Sequence, residues 1–221
     1  MPKICTLVLR FSNEISASDI PKFRGAVIRS LKEKNSWFHN HSENGDVYRY
    51  PRIQYKRINK KAAIVCVQEG VDAIQELFMS GNFTFHIGEK EMQMKIESVN
   101  TYDDNVDFCN PPITYHLHNW LPLNSENYRK YQGIERYADK IVFLEKKLTA
   151  NLLAFFSAID YRAEKQIILN IQDITDSRLI NYKGVKLMAF DVDFNANLLL
   201  PNLIGVGKSA SVGFGTLITL K

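Results

Sequence analysis

Apolar and polar positions along the first hundred residues fall into runs that predict a definite order of elements. Lys3 to Phe11 is almost continuously apolar and reads as a buried strand. After the polar connection Asn13 to Ser18, Ser18-Asp19-Ile20-Pro21 supplies an N-cap and an early-turn proline. Phe23, Ala26, Val27, Ser30 and Leu31 then continue at helical spacing. Tyr48 to Ile58 and Lys61 to Val67 read as strands joined at Asn59-Lys60, a hairpin signal. Gly70 to Met79 carries Val71, Ile74, Leu77 and Phe78 on one helical face. Phe83 to Ile87 and Met92 to Val99, interrupted by Gly88-Glu89-Lys90, read as a strand pair or one long bent strand. Strand, helix, strand, strand, helix, strand is the ferredoxin-like split pattern.

A boundary is expected at Asp103 to Pro112, where Asp-Asp-Asn-Val-Asp is followed by Asn-Pro-Pro. Beyond it the pattern predicts a strand at Ile113 to Leu123, a long helical region at Glu126 to Tyr161, and strands at Gln166 to Ile171 and Val185 to Phe194. Strands again surround a helix, so this half reads as a second, degenerate ferredoxin-like unit whose second helix is hard to find. The expected class is α+β, with tandem ferredoxin-like (RRM-like) domains over residues 1–105 and 106–221.

Composition narrows the classes. The 221 residues are 45% hydrophobic, as in an ordinary globular protein, and no apolar run reaches the roughly 18 residues of a membrane span. The start of the chain resembles a strand rather than a signal peptide, which places the expected location in the cytoplasm. Cys5, Cys66 and Cys109 are far apart and odd in number, a pattern that suggests neither a disulfide framework nor a zinc knuckle and points to buried thiols in a reducing compartment. The net charge of +4 is unevenly divided: residues 1–61 hold 13 Lys/Arg against 5 Asp/Glu, and the remainder 15 against 19. That asymmetry points to a polyanion facing the first half. In the densest stretch, Arg49 to Lys61, six cations interleave with aromatic and aliphatic residues and no acid intervenes. In a strand, Arg52, Gln54 and Lys56 would share one side and Ile53, Tyr55 and Arg57 the other. A charge-protected edge strand would give the same pattern.

Histidine is the usual group titrating near neutrality. His39 and His41 lie in a polar loop after the first helix, Asn35-Ser-Trp-Phe-His-Asn-His-Ser-Glu-Asn-Gly-Asp-Val-Tyr48, beside the basic strand. Loops on a rigid scaffold often carry chemistry, and two imidazoles two residues apart can reach one small site on extended backbone. His116-Leu-His118 is a competing pair on one strand face, but no Cys or carboxylate stands near it at zinc-like spacing, so no metal is expected there. His86, between Phe85 and Ile87, reads as a sheet residue. Asp191-Val-Asp193 reads as alternating acids on an exposed strand face.

The last segment, Leu203-Ile-Gly-Val-Gly-Lys-Ser-Ala-Ser-Val-Gly-Phe-Gly-Thr-Leu-Ile-Thr-Leu220, is not a P-loop: no glycine stands where the first one of that motif is required, and no helical pattern follows Ser209. Gly205, Gly207, Gly213 and Gly215 would let the backbone approach a phosphodiester, with Lys208 adding a cation. A glycine-bent hairpin at a sheet corner is the alternative. The pattern Gly-x-Gly-Lys-x-x-x-x-Gly-Phe-Gly resembles the C-terminal glycine-rich loop of the RAMP superfamily of CRISPR RNA-binding proteins. With the early His-Asn-His and the chain's size, the whole is similar to the repeat-processing endoribonucleases of that superfamily, in their subtype I-B branch.

That resemblance implies an endoribonuclease that cuts precursor CRISPR RNA within repeats without metal or cofactor, by attack of the 2′-hydroxyl. The products would be a 2′,3′-cyclic phosphate and a 5′-hydroxyl. His41 matches the principal catalytic histidine, His39 its partner, and Tyr48 an assisting tyrosine. Repeat RNA is the implied partner, with CRISPR interference subunits as further candidates, and the protein a monomer or homodimer. Arg49, Arg52, Lys56, Arg57 and Lys208 are the candidate phosphate contacts, together with Gly205, Gly207, Gly213 and Gly215. A non-catalytic RAMP subunit binding CRISPR RNA in an effector complex shares the glycine-rich loop. The aromatics Tyr48, Tyr50 and Tyr55 do not form an RNP1 sequence, so a standard RRM is not expected.

Overall fold

The computed structural model describes residues 3–31, 37–38, 41–42, 45–46 and 50–220. His39, Tyr48 and Arg49 lie outside them, as does the side chain of His41. The chain forms two compact units. One comprises Lys3–Asp104 with Ser211–Gly213, the other chiefly residues 105–210 and 214–220. No helix among the described residues is long and apolar enough to cross a membrane.

In the first unit, β1 (Lys3–Glu14) leads through a 3-10 turn into α1 (Ile20–Ser30), which has proline in its first turn. Two-residue strands β2 (His41–Ser42) and β3 (Gly45–Asp46) pair with each other. β4 (Ile53–Ile58) and β5 (Lys61–Val67) follow, then α2 (Glu69–Ala73), α3 (Gln75–Ser80), the hairpin β6 (Thr84–Ile87) and β7 (Lys90–Gln93), and β8 (Ile96–Asn105). The sheet order β4-β5-β1-β8 is the ferredoxin-like one. Asn59 and Lys60 both take positive φ, as a two-residue hairpin that must match strand twist requires. Phe23 on α1 fills the core, meeting Phe11 edge-on at 5.8 Å and Tyr55 at 5.6 Å between ring centroids. The expected buried β1 is observed, with residues 6 to 9 enclosed on both faces.

The second unit repeats the plan. β9 (Asp107–Trp120) precedes α4 (Ser125–Gln132) and α5 (Tyr137–Ala158). β10 (Leu169–Tyr182) and β11 (Val185–Leu199) form a long hairpin, and β12 (Thr216–Thr219) closes the sheet in the order β10-β11-β9-β12. Asn124 caps α4 by accepting from Asn127 N–H at 2.8 Å. α5 buries Leu144, Leu148 and Leu152 at a four-residue spacing, together with Phe155 and Phe156.

The sequence pattern misplaced several limits here. The single helical region is two helices parted near Gly133. β9 begins before Asn110-Pro-Pro and runs through it, because the prolines occupy a register shift between the Ile113 and Phe108 pairings, where no ladder donor is needed. β10 extends to Tyr182, eleven residues beyond the expected end. Between β11 and β12 the only regular structure is a 3-10 turn at Ala210–Val212, so the glycine-rich segment stands where the second helix of a ferredoxin-like unit would be.

Candidate functional site

The basic strand β4 is enclosed on both faces rather than presenting one. Arg52 is 8% exposed, Gln54 0% and Lys56 1%, while Ile53 and Tyr55 on the opposite side are equally buried. Arg52 Nε lies 2.8 Å from Glu69 Oε2. Burial takes the Lys56 amine from its ordinary 10.5 down to about 7. As candidate phosphate contacts, Arg52 and Lys56 therefore occupy interior positions, whereas Arg57 and Lys208 are exposed. Arg57 donates from Nε to Ile15 O at 2.7 Å.

The glycine-rich segment is fastened at its neck. Leu203 N–H donates to Leu217 O, Leu217 N–H to Ile204 O, and Val206 N–H to Gly215 O, at 2.8, 2.9 and 2.7 Å. Gly205 pairs across this neck with Thr216. Gly215 has φ +62°, and a Cβ there would stand 1.9 Å from Val206 O, so only glycine fits. Its N–H donates to Asn119 O at 3.0 Å, which gives this position a structural task. At Gly207, φ +89°, a Cβ would meet Asn151 Oδ1 at 2.8 Å, the oxygen that accepts from Trp120 Nε1. Gly213 also has positive φ and packs against Ile20 and Tyr55 O in the first unit.

Of the histidine loop, Trp37 and Phe38 are described with their side chains, Phe38 being buried, while His41 is described by its backbone, which opens β2 and pairs with Asp46 of β3. His86 is exposed, with Nε2 at 3.6 Å from Glu91. His116 and His118 are not bare strand histidines. β9 and β11 are antiparallel neighbours with His116 opposite Asp193. His116 Nδ1 lies 2.6 Å from Asp193 Oδ1, and His118 Nδ1 lies 2.9 Å from Asp191 Oδ2. The two rings lie 6.2 Å apart and nearly parallel. Burial opposes ionisation of Asp191, but hydrogen bonds from His118 and from Asn119 N–H, with Arg178 beside them, outweigh it and hold the carboxyl down at about 2. Neither pairing shows as a local motif in the sequence, because the partners lie more than seventy residues apart.

Two family models tile the chain: the Cas6b N-terminal domain over residues 2–105 and the Cas6b C-terminal domain over residues 107–220. The chain belongs to the Cas6b family. A crystal structure of Cas6b aligns with 99% of this chain and all of that one, at a TM-score of 0.87 and 22% identity. Another, of a CRISPR RNA processing endoribonuclease Cas6b, aligns with the same coverage at 0.76 and 20%. At these identities the likeness is one of fold. A RAMP protein binding different RNA substrates aligns over both whole chains at 0.54 and 8%. The tandem ferredoxin-like architecture of the Cas6b chain is thus that of Cas6 and RAMP proteins. An uncharacterized protein of Methanocaldococcus jannaschii is 32% identical over 102 residues, 46% of this chain and 68% of that protein.

Proposed function

We propose that this chain is a cytoplasmic, metal-independent endoribonuclease that cuts precursor CRISPR RNA within its repeats. The observation carrying this reading is that both Cas6b domain models together match nearly the whole chain, in a family with a member named as a CRISPR RNA processing endoribonuclease. The His39-Asn-His41 loop supplies the residue types that the chemistry needs. One imidazole takes the proton from the 2′-hydroxyl, whose oxygen attacks the adjacent phosphorus. The bond to the 5′-oxygen breaks, and the second acid protonates that leaving oxygen, giving a 2′,3′-cyclic phosphate and a 5′-hydroxyl. His41 and His39 share the acid and base roles, and Tyr48 donates to the scissile phosphate. Cations stabilise the phosphorane charge. We assign the phosphate contacts to Arg49, Arg57 and Lys208. The enclosed Arg52 and Lys56 belong to the fold of the first unit in this reading. Gly207 and Gly213 set the course of the segment bearing Lys208.

The test is cleavage of a labelled repeat RNA from the source organism's own array, in EDTA. A single cut leaving a cyclic phosphate is expected, slowed on the order of 100-fold or more by His41→Ala, with His39→Ala also impaired. Tight binding without cleavage by the wild-type protein would replace the enzyme reading with that of an RNA-binding RAMP subunit.

A further inference from the structure

The polar face of the second unit's sheet carries more charge than a solvated face needs. Asp191 and Asp193 on β11 face His118 and His116 on β9. On the other side β10 places Asp173 opposite Asp193 and Asp176 opposite Asp191. Like charges directly opposite on neighbouring strands are destabilising, and the face stacks two such pairs. Arg178 answers part of this charge: it bonds Asp176 and Asn119, and its Nη1 lies 3.5 Å from Asp191. Four carboxylate residues thus share this face with one guanidinium and two imidazoles.

One donor atom from each of His116, His118 and Asp191 lies within 4.8 Å of the others. We propose that these three residues bind a divalent transition-metal ion of the zinc class, with Asp193 as the residue that positions the His116 ring. Two imidazole nitrogens and one carboxylate oxygen suit zinc, cobalt or nickel, whereas magnesium and calcium favour shells built of oxygen. A carboxylate on one ring nitrogen of a ligating histidine is the usual outer contact that fixes such a ring, and Asp193 holds His116 in this manner. Ligand bonds of about 2.0–2.2 Å require the donors to close in by roughly 1 Å. His118, whose side chain is 50% exposed, has the freedom to make that movement, while Asp191 is anchored by Asn119 N–H and Arg178. The ion ties β9 to β11, neutralises the carboxylate row, and keeps a fourth position for water or another oxygen ligand. This inference does not rest on the cleavage reading, because its ligands all belong to the second unit and the histidine loop falls within the sequence of the first.

Chelator-treated full-length protein would be titrated with Co²⁺, followed by its visible absorption, and with Zn²⁺ by calorimetry, alongside thermal unfolding with and without Zn²⁺. One saturable equivalent is expected, with affinity at least tenfold weaker in His116→Ala and in His118→Ala and unchanged in His41→Ala and His86→Ala. Zn²⁺ should raise the melting temperature of wild type but not of His118→Ala. That variant alters a half-exposed side chain and remains decisive if His116→Ala folds poorly. Absence of saturable binding, undiminished affinity in His118→Ala, or loss in His41→Ala would overturn the site.

Discussion

Lys56 on β4 is 1% exposed, and burial lowers its amine from 10.5 to about 7. Exchange for methionine keeps an unbranched chain of similar size and removes the titrating group. In the unfolded chain the amine holds its proton up to its ordinary range; in the fold it gives the proton up near neutrality. Between those values the unfolded state binds more protons, so stability rises with pH across that window and falls as pH drops toward 7. Each pKa unit corresponds to about 1.36 kcal/mol, and integration of the two titrations from about pH 7.5 to about pH 9.5 gives a gain of roughly 2.5 kcal/mol. Urea denaturation of wild type and Lys56→Met in matched buffers isolates this amount, because the other titrating groups cancel in the difference. Wild type should gain about 2.5 kcal/mol on the variant over that range. A difference that stayed level with pH would show that Lys56 keeps its ordinary affinity for protons, and the account of its burial would fail.

Gly215→Ala should lower the thermal midpoint of the purified protein markedly, since strain at positive φ costs roughly 1–3 kcal/mol and the new Cβ also meets Val206 O; an unchanged midpoint would contradict the geometry of the neck. Tyr115 Oη donates to Leu198 O at 2.8 Å and accepts from Leu200 N–H at 3.1 Å. Tyr115→Phe leaves both buried groups without that partner and should cost about 1–3 kcal/mol in chemical denaturation, whereas a neutral result would mean that water replaces the hydroxyl. Lys208→Ala should reduce the slope of log affinity for repeat RNA against log salt by about one, measured by filter binding, and an identical slope would remove Lys208 from the phosphate contacts.

The first unit was legible because each of its main elements buries a face with a regular period. Phe23, Ala26 and Val27 mark α1, and Asn59-Lys60 marks the turn between β4 and β5. The far part of β10 was not, since residues 172–181 are mostly exposed and its polar alternation carries no core signal. Strand alternation also misled at β4, where Lys56 and Tyr55 point to opposite sides yet are both buried. The missing second helix of the second unit showed in the sequence only as a lack of periodicity around Gly205 to Gly215. The joined His116–Asp193 and His118–Asp191 pairs depend on the register of β9 with β11. No local pattern encodes that register.

Glycine-rich segments are usually read as sources of suppleness, but the neck between Leu203 and Leu217 makes this one a mount. Ile204, Gly205 and Val206 are buried, and the positive φ of Gly207 and of Ser209 brackets Lys208, which stands exposed between them. An anion arriving at Lys208 therefore immobilises a side chain on backbone that folding has already ordered. A slack linker would lose roughly 1–2 kcal/mol of backbone entropy for each residue stiffened on contact. Here that loss is incurred during folding, and the backbone that carries the cation is ordered before any ligand arrives.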